Sequence, residues 1–318
     1  MKVTEHIQQA KGKTLFSFEV LPPKKGESVQ EFFHAIDPLM EFKPAFIDVT
    51  YHREELVKNV LSDGTITETP TKKRPGTVGI CAAILNKYGI DPVPHLLCGG
   101  FTREETENAL IDLNFLGIDN ILALQGDPLK TEKSFTPCLE GNKYASDLIK
   151  QIGNINNGKY LHDDLENAAK TDFCIGAAAY PEKHYAAVSL EEDIKWLKHK
   201  VELGAEYLVT QMFFDNKHYF DFVDKCRAAG ITIPIIPGLK PLATKKQVEI
   251  LPKIFFMDIP EDLQKTANAC ADNKGVKQVG IEWCIEQSKG LKAGGAPVLH
   301  YYTMSRSETT KKVAQELF

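Results

Sequence analysis

Two carboxylates stand at the ends of short apolar runs, where a side chain leaves a packed interior for solvent or a ligand. Glu19 ends Leu15-Phe16-Ser17-Phe18-Glu19, and Asp127 follows Leu122-Ala123-Leu124-Gln125-Gly126. Phe16, Phe18 and Val20 share one parity and Ser17 and Glu19 the other, so in a strand Glu19 turns away from the apolar face. A carboxyl in apolar surroundings favours its neutral form, which suits a proton donor; a structural ion pair is the competing role. Gly126 lets a ligand approach the backbone beside an exposed Asp127. Thr50, after Asp48-Val49, adds a hydroxyl. His95, between Pro94 and Leu96, has the setting of a hydrogen-bonded structural histidine. Ala177 to Ala179 leave room for a flat ligand before Tyr180 and His184, although small residues also serve packing. In Thr210-Gln211-Met212-Phe213-Phe214 a neutral amide sits beside aromatics, a combination suited to an uncharged heterocycle. Lys240 ends Ile236-Pro237-Gly238-Leu239, and a desolvated lysine there could form a Schiff base with a carbonyl substrate.

Other chemistries lack their signatures. No G-x-G-x-x-G follows a strand, and G-x-x-x-x-G-K-[ST], H-E-x-x-H and G-x-S-x-G do not occur. A bound dinucleotide would therefore not use a Rossmann glycine loop, and no tight His/Cys/Asp cluster in the sequence suggests a metal. A net charge of −5 without a dense Lys/Arg run argues against nucleic acid as a partner, and Lys72-Lys73-Arg74 reads as a solvated loop. The seven cysteines are scattered without a C-x-x-C pair, which fits reduced thiols in the cytoplasm. Residues 1–14 are polar, with no apolar signal core, and no apolar run approaches the length of a membrane span.

The chemistry needs strands that end side by side. Eight apolar runs recur at roughly Leu15–Leu21, Ala45–Tyr51, Val93–Cys98, Asn120–Gln125, Phe173–Tyr180, Tyr207–Phe213, Ile233–Pro237 and Val298–Thr303, with helical patterns between them. Helices are expected at Val29–Phe42, Arg103–Leu116 and Ser189–Leu203, the last opened by a Ser189/Glu192 capping signature, and one opens at Pro260 and ends near Asp272. Alternation of this kind predicts α/β class, a single (β/α)8 TIM barrel over residues 1–318 with its chemistry at the carboxyl ends of the strands. Gly153–Asp172 reads as a polar insertion, either merely solvated or a lid. On the residues alone an enzyme using Glu19, a cofactor-free Schiff-base lyase using Lys240 and a noncatalytic binding protein all stay open.

At these same strand ends the sequence closely resembles the catalytic barrel of methylenetetrahydrofolate reductases. The resemblance runs through Phe16-Ser17-Phe18-Glu19 with Pro22-Pro23, Val49-Thr50-Tyr51, Pro94-His95-Leu96, Gln125-Gly126-Asp127, Tyr144-Ala145-Ser146-Asp147, Ala179-Tyr180-Pro181-Glu182 with His184, Thr210 to Asp215, Pro237-Gly238 and Tyr302 to Arg306, in family order along nearly the whole chain. It implies noncovalent FAD, NADH or NADPH as reductant, and reduction of 5,10-methylenetetrahydrofolate to 5-methyltetrahydrofolate by alternating entry of the two substrates. Glu19 then resembles the general acid, and Asp127 the residue that contacts flavin and pterin. Tyr51, His95, Gln125, Gly126, Tyr144, Ala145, Tyr180, His184, Asp193 and Lys200 match flavin positions, and Thr50 matches a nicotinamide contact. Gln211, Gln247 and Arg306 match substrate positions. The resemblance further implies small-molecule partners and self-association. Four residues depart from it: Gln125 stands where many members carry arginine, His52 where glycine is usual, Tyr185 where proline is common, and Leu251 where some bacterial members place an aromatic against the nicotinamide. The residues end with the barrel, so control through an added regulatory domain is not expected.

Overall fold

The first strand shows how the chain is built. Phe16, Phe18 and Val20 are buried toward the helices, whereas Ser17 turns inward to pair with His300. The same alternation, repeated strand after strand, leaves an apolar outer face for helices and a lumen of mixed character. The computed structural model describes residues 1–129, 132, 134–162, 165–304 and 307–318, with the backbone alone at Leu56 and Pro70. In chain order the elements are α1 (Val3–Gln9), β1 (Leu15–Val20), α2 (Val29–Ile36), β2 (Phe46–Val49), β3 (Glu55–Val60), β4 (Ile66–Thr71), α3 (Thr77–Tyr88), β5 (Asp91–Leu97), α4 (Arg103–Phe115), β6 (Asn120–Leu124), α5 (Ala145–Asn156), β7 (Cys174–Ala179), α6 (Leu190–Glu202), β8 (Tyr207–Thr210), α7 (Asn216–Ala228), β9 (Ile235–Ile236), β10 (Gly238–Leu239), α8 (Lys245–Phe255), α9 (Glu261–Ala269), α10 (Asn273–Ala293), β11 (Val298–Tyr302) and α11 (Ser307–Gln315).

The parallel strands run β10-β11-β1-β2-β5-β6-β7-β8-β9. Since β9 and β10 are consecutive pieces around Pro237, the order returns on itself and the barrel closes. The seventh strand is short because Pro234 and Pro237 have no N–H to donate; their carbonyls still accept, from Leu208 at 2.9 Å and from His300 at 3.2 Å. Gly238 reaches across the seam, its N–H donating to Thr210 Oγ1 at 2.9 Å.

Two apolar shells hold this ring. The outer one joins the strands to the helices through residues such as Phe18, Ile47, Leu96, Ile121 and Phe222. The inner one fills the lower lumen with Phe46, Val93, Leu122, Tyr207, Val209, Ile236 and Val298, and α1 closes it with Val3. The Val3 N–H donates to Asn120 Oδ1 at 2.8 Å, which fixes that plug. A third cluster, with Met212, Phe214, Val248, Leu251 and Leu263, packs α8, α9 and α10 beside the mouth. Among the described residues no helix is long and apolar enough to cross a membrane.

Several sequence expectations change in detail. The helix expected over Val29–Phe42 is α-helical only to Ile36; Pro38 follows, and residues Asp37–Phe42 form a 3-10 turn that ends with Lys43 at φ +50°. Ser189 accepts the Glu192 N–H at 3.2 Å as expected, while Thr102 and Glu105 form the reciprocal box on α4. The helix expected from Pro260 is shorter, and α10 follows it. The polar segment 153–172 begins inside α5, and the rest connects α5 to the start of β7. Its described residues join the carboxyl end of α5 to the amino end of β7, at the opposite end of the strands from the mouth. Asn156 pins it by bonding to Thr171 and to both backbone groups of Phe173. The antiparallel ribbon β3–β4, unforeseen in the sequence, rises from the loop after β2.

Candidate active site

Strands β1, β2 and β5 are neighbours, and their register sets Glu19 opposite Asp48 and Asp48 opposite Val93. His95, two residues on, returns to the same lumen face. There Thr50 Oγ1 donates to Glu19 Oε1 at 2.6 Å, and His95 Nε2 lies 3.7 Å from Glu19 Oε2 and 3.3 Å from Asp48 Oδ2. The inward direction expected for Glu19 holds. Its expected apolar surroundings do not, because the groups at its level on adjacent strands are polar. The Thr303 hydroxyl donates to the Glu19 carbonyl at 2.6 Å. From the seventh strand Lys240 reaches the Tyr302 carbonyl at 3.5 Å. Burial lowers the Lys240 pKa, while the charge of Glu19 works against that change.

A second group gathers at the ends of β6 and β7. The rings of Tyr180 and His184 meet edge to face with centroids 4.6 Å apart, and the His184 N–H donates to Asp193 Oδ2 at 2.8 Å. Burial lowers the His184 pKa and raises that of Tyr180, and the charge of Asp127 reaches both. Lys200 Nζ lies 3.4 Å from the Ala178 carbonyl; burial lowers its pKa against the attraction of Asp193. Gln125 donates to the Lys143 carbonyl at 3.2 Å, beside Tyr144 and Ala145 at the start of α5. Gly126 has φ +90°, and a Cβ there would lie 3.3 Å from Leu97 Cδ1, so only glycine fits without strain. An aromatic pair, a flat glycine, a buried amine and the amino ends of α5 and α6 suit a planar ring system that carries phosphates. Tyr51 packs on Phe101 at 4.8 Å instead of joining this group.

The three small residues of β7 divide their work. Ala177 and Ala179 pack outward against the helices, and the space over Gly176 is taken by the Tyr207 ring, which leaves Ala178 as the small residue facing the mouth. Gln211 lies at the end of β8, its Oε1 accepting the Met212 N–H at 2.8 Å. Gln247 is engaged in its own helix: its Oε1 accepts from the N–H groups of Ala243 at 2.7 Å and Thr244 at 3.2 Å. Leu251 is buried in the α8–α10 cluster beside the mouth. Arg306 lies outside the described residues.

Sequence reasoning missed three groups. Asp48 reads as a buried strand position, and only strand register reveals its contact with His95. Arg53 pairs with Glu132 at 3.2 Å, stacks 5.3 Å from Phe135 and donates to the Asp127 carbonyl at 3.3 Å, so it ties the loop after β6 to that after β2. Glu182, His218 and Asp258 bring ligand-type atoms within 4.8 Å of one another. Asp258 is exposed and its N–H donates to Glu182 Oε2 at 2.6 Å, which joins the loop after β7 to the segment after α8.

Comparison with known proteins bears on the family. A family model described as methylenetetrahydrofolate reductase matches residues 2–318. Methylenetetrahydrofolate reductase 1 of Schizosaccharomyces pombe is 34% identical over 100% of this chain and 48% of its own length. The 5,10-methylenetetrahydrofolate reductase of Escherichia coli is 30% identical over 99% of this chain and 94% of its own. The chain thus spans about half the length of the yeast relative and nearly all of the bacterial one. Among solved structures, a protein from Clostridium thermocellum described as binding two copies of 5-methyl-5,6,7,8-tetrahydrofolic acid superposes with a TM-score of 0.58 at 14% identity, covering 99% of both chains. That likeness shows a shared fold. The family match over residues 2–318, together with the bacterial relative, shows that the chain belongs to the methylenetetrahydrofolate reductase family.

Proposed function

We propose that the protein reduces the methylene group of 5,10-methylenetetrahydrofolate to a methyl group, with NADH or NADPH as reductant and noncovalent FAD as intermediary. The carrying observation is Glu19 at the mouth of the lumen, held through Oε1 by the Thr50 hydroxyl and leaving 13% of its side-chain surface exposed to an incoming ligand. Glu19 gives its proton to N10 of the folate, the bond from N10 to the methylene carbon breaks, and the resulting 5-iminium accepts hydride to become the methyl group. When bound, FAD would supply the hydride carrier, used in turn by the two substrates. Lys200 would face its diphosphate, Tyr180 and His184 would flank it, and Gly126 would let it approach the backbone. Asp127 and Gln211 would orient the pterin, and Thr50 would also meet the nicotinamide. Gln247 would join them through its Nε2, since its Oε1 caps α8.

The seven free cysteines support residence in a reducing compartment, the cytoplasm. Protein purified with FAD should be yellow and should oxidise 5-methyltetrahydrofolate with an artificial electron acceptor. Folded protein that takes up no FAD and shows no such turnover would end this reading. Lys240 favours a second one, because a buried amine of lowered pKa is a competent Schiff-base nucleophile; borohydride trapping of a carbonyl adduct would support it. Folate affinity without turnover would indicate a binding protein.

A further inference from the structure

Below the mouth the lumen holds ionisable groups that the proposed reaction leaves unused. Asp48 is fully buried and His95 is 3% exposed. Among the described residues His95 is the ion-pair partner of Asp48, and Asp48 Oδ1 has no hydrogen-bond partner. His95 Nε2 therefore lies between two carboxylates, Asp48 at 3.3 Å and Glu19 at 3.7 Å. Other groups face this trio from each packed element. His52, after β2, feels Glu19 and His95; Lys240, after β10, feels Glu19. His300, on β11, feels all three and uses Nδ1 on Ser17 at 2.9 Å. Tyr207 on β8 and Tyr302 on β11 face Asp48.

The three histidines part company here. Burial lowers the pKa of His52 and of His300. Burial also works against a charged His95, but the bond to Asp48 and the charges of both carboxylates outweigh it, and its pKa is raised. An imidazolium beside Glu19 would by itself oppose the return of a proton to that carboxylate. A second carboxylate at the same ring nitrogen offsets this opposition.

We propose that Asp48 is a positioning residue for the reaction: by pairing with His95 it fixes the ring beside Glu19 and balances its charge, so that Glu19 regains a proton between turnovers. The inference rests on the reading of Glu19 as the acid. Glu19 loses its proton to folate N10 and takes the next from solvent.

Asp48→Asn keeps the size of the side chain and removes the charge. Every group facing it should then bind protons less tightly. In histidine-labelled protein, with His95 assigned through a His95→Gln sample, the imidazole should titrate above the ordinary value of about 6.5, and about one pH unit lower in Asp48→Asn. The alkaline limb of the folate half-reaction should move to lower pH in the same variant. A rate loss with the limb unmoved would mark a merely structural role and overturn the proposal. So would a wild-type His95 that titrates at or below the ordinary value, a result obtainable even if the variant fails to fold. The titration needs no turnover, so the Asp48–His95 pairing and the reductase reading can fail separately.

Discussion

Replacing Gly176 by alanine should destabilise the protein by about 1–3 kcal/mol, the usual range for overpacking a filled interior. Gly176 pairs with Tyr207 across β7 and β8. An ideal Cβ there would lie 2.6 Å from both Cε2 and Oη of Tyr207, against about 3.5 Å for a relaxed contact. The ring would have to retreat by about 1 Å. Its surroundings give it nowhere to go: Tyr207 is fully buried, in a cluster with Val93, Leu122 and Ile236. Equilibrium urea unfolding with a spectroscopic probe measures the loss, and a thermal scan should show a Tm lower by about 2–4 °C per kcal/mol. A double-mutant cycle isolates the cause. In a Tyr207→Leu background the new methyl meets no ring, so Gly176→Ala should cost at least about 1 kcal/mol less than in the parent. Equal costs in the two backgrounds would refute the reasoning and place the strain elsewhere.

Other perturbations bear on the site and on the plug beneath it. Lys200→Met should weaken FAD binding by about 10- to 100-fold, the worth of one charge-assisted phosphate contact; quenching of flavin fluorescence on titration measures it, and unchanged affinity would remove Lys200 from the phosphate site. Burial opposes the charge of Asp91, yet bonds from His6 and the terminal amino group, each at 2.7 Å, hold its carboxyl below the usual range. A depressed carboxylate contributes stability that is complete above its unfolded value, near pH 4, and is lost as pH falls through the folded one. Asp91→Asn should therefore be less stable than the parent at pH 6 and converge with it near about pH 2 in acid-unfolding curves. Arg53→Ala should loosen the loop that carries Asp127, read as faster amide exchange there, with a lower affinity for both flavin and folate.

The barrel is legible because each strand is buried on both faces and reads as a nearly continuous apolar run. Glu19 is legible for a related reason: in Phe16-Ser17-Phe18-Glu19 parity alone separates lumen from helix, and Thr50 ends the next strand in reach of it. Groupings set by register between strands are not legible. Nothing in Ile47-Asp48-Val49 or Pro94-His95-Leu96 says that the two side chains meet, since the contact depends on Asp48 pairing with Val93. The ribbon β3–β4 was concealed by its exposure: Val60 and Ile66 pair on one face but lie largely in solvent, and Lys58 and Glu68 break any apolar run. Its Asp63-Gly64 turn and the alternating Thr65-Ile66-Thr67 were the available signals. The local roles of Gln247 and Leu251 were not legible either: both fall on α8, where the first caps the helix through its Oε1 and the second is buried in the α8–α10 cluster.

The central claim is that Glu19 supplies the proton for the folate step and nothing to the nicotinamide step. Anaerobic stopped-flow absorbance on FAD-loaded Glu19→Gln measures both half-reactions in one protein. Flavin bleaching by NADH or NADPH should proceed near the wild-type rate, whereas reoxidation by 5,10-methylenetetrahydrofolate should slow by at least about 100-fold. Reoxidation at the wild-type rate, or equal loss in both half-reactions, would contradict the account.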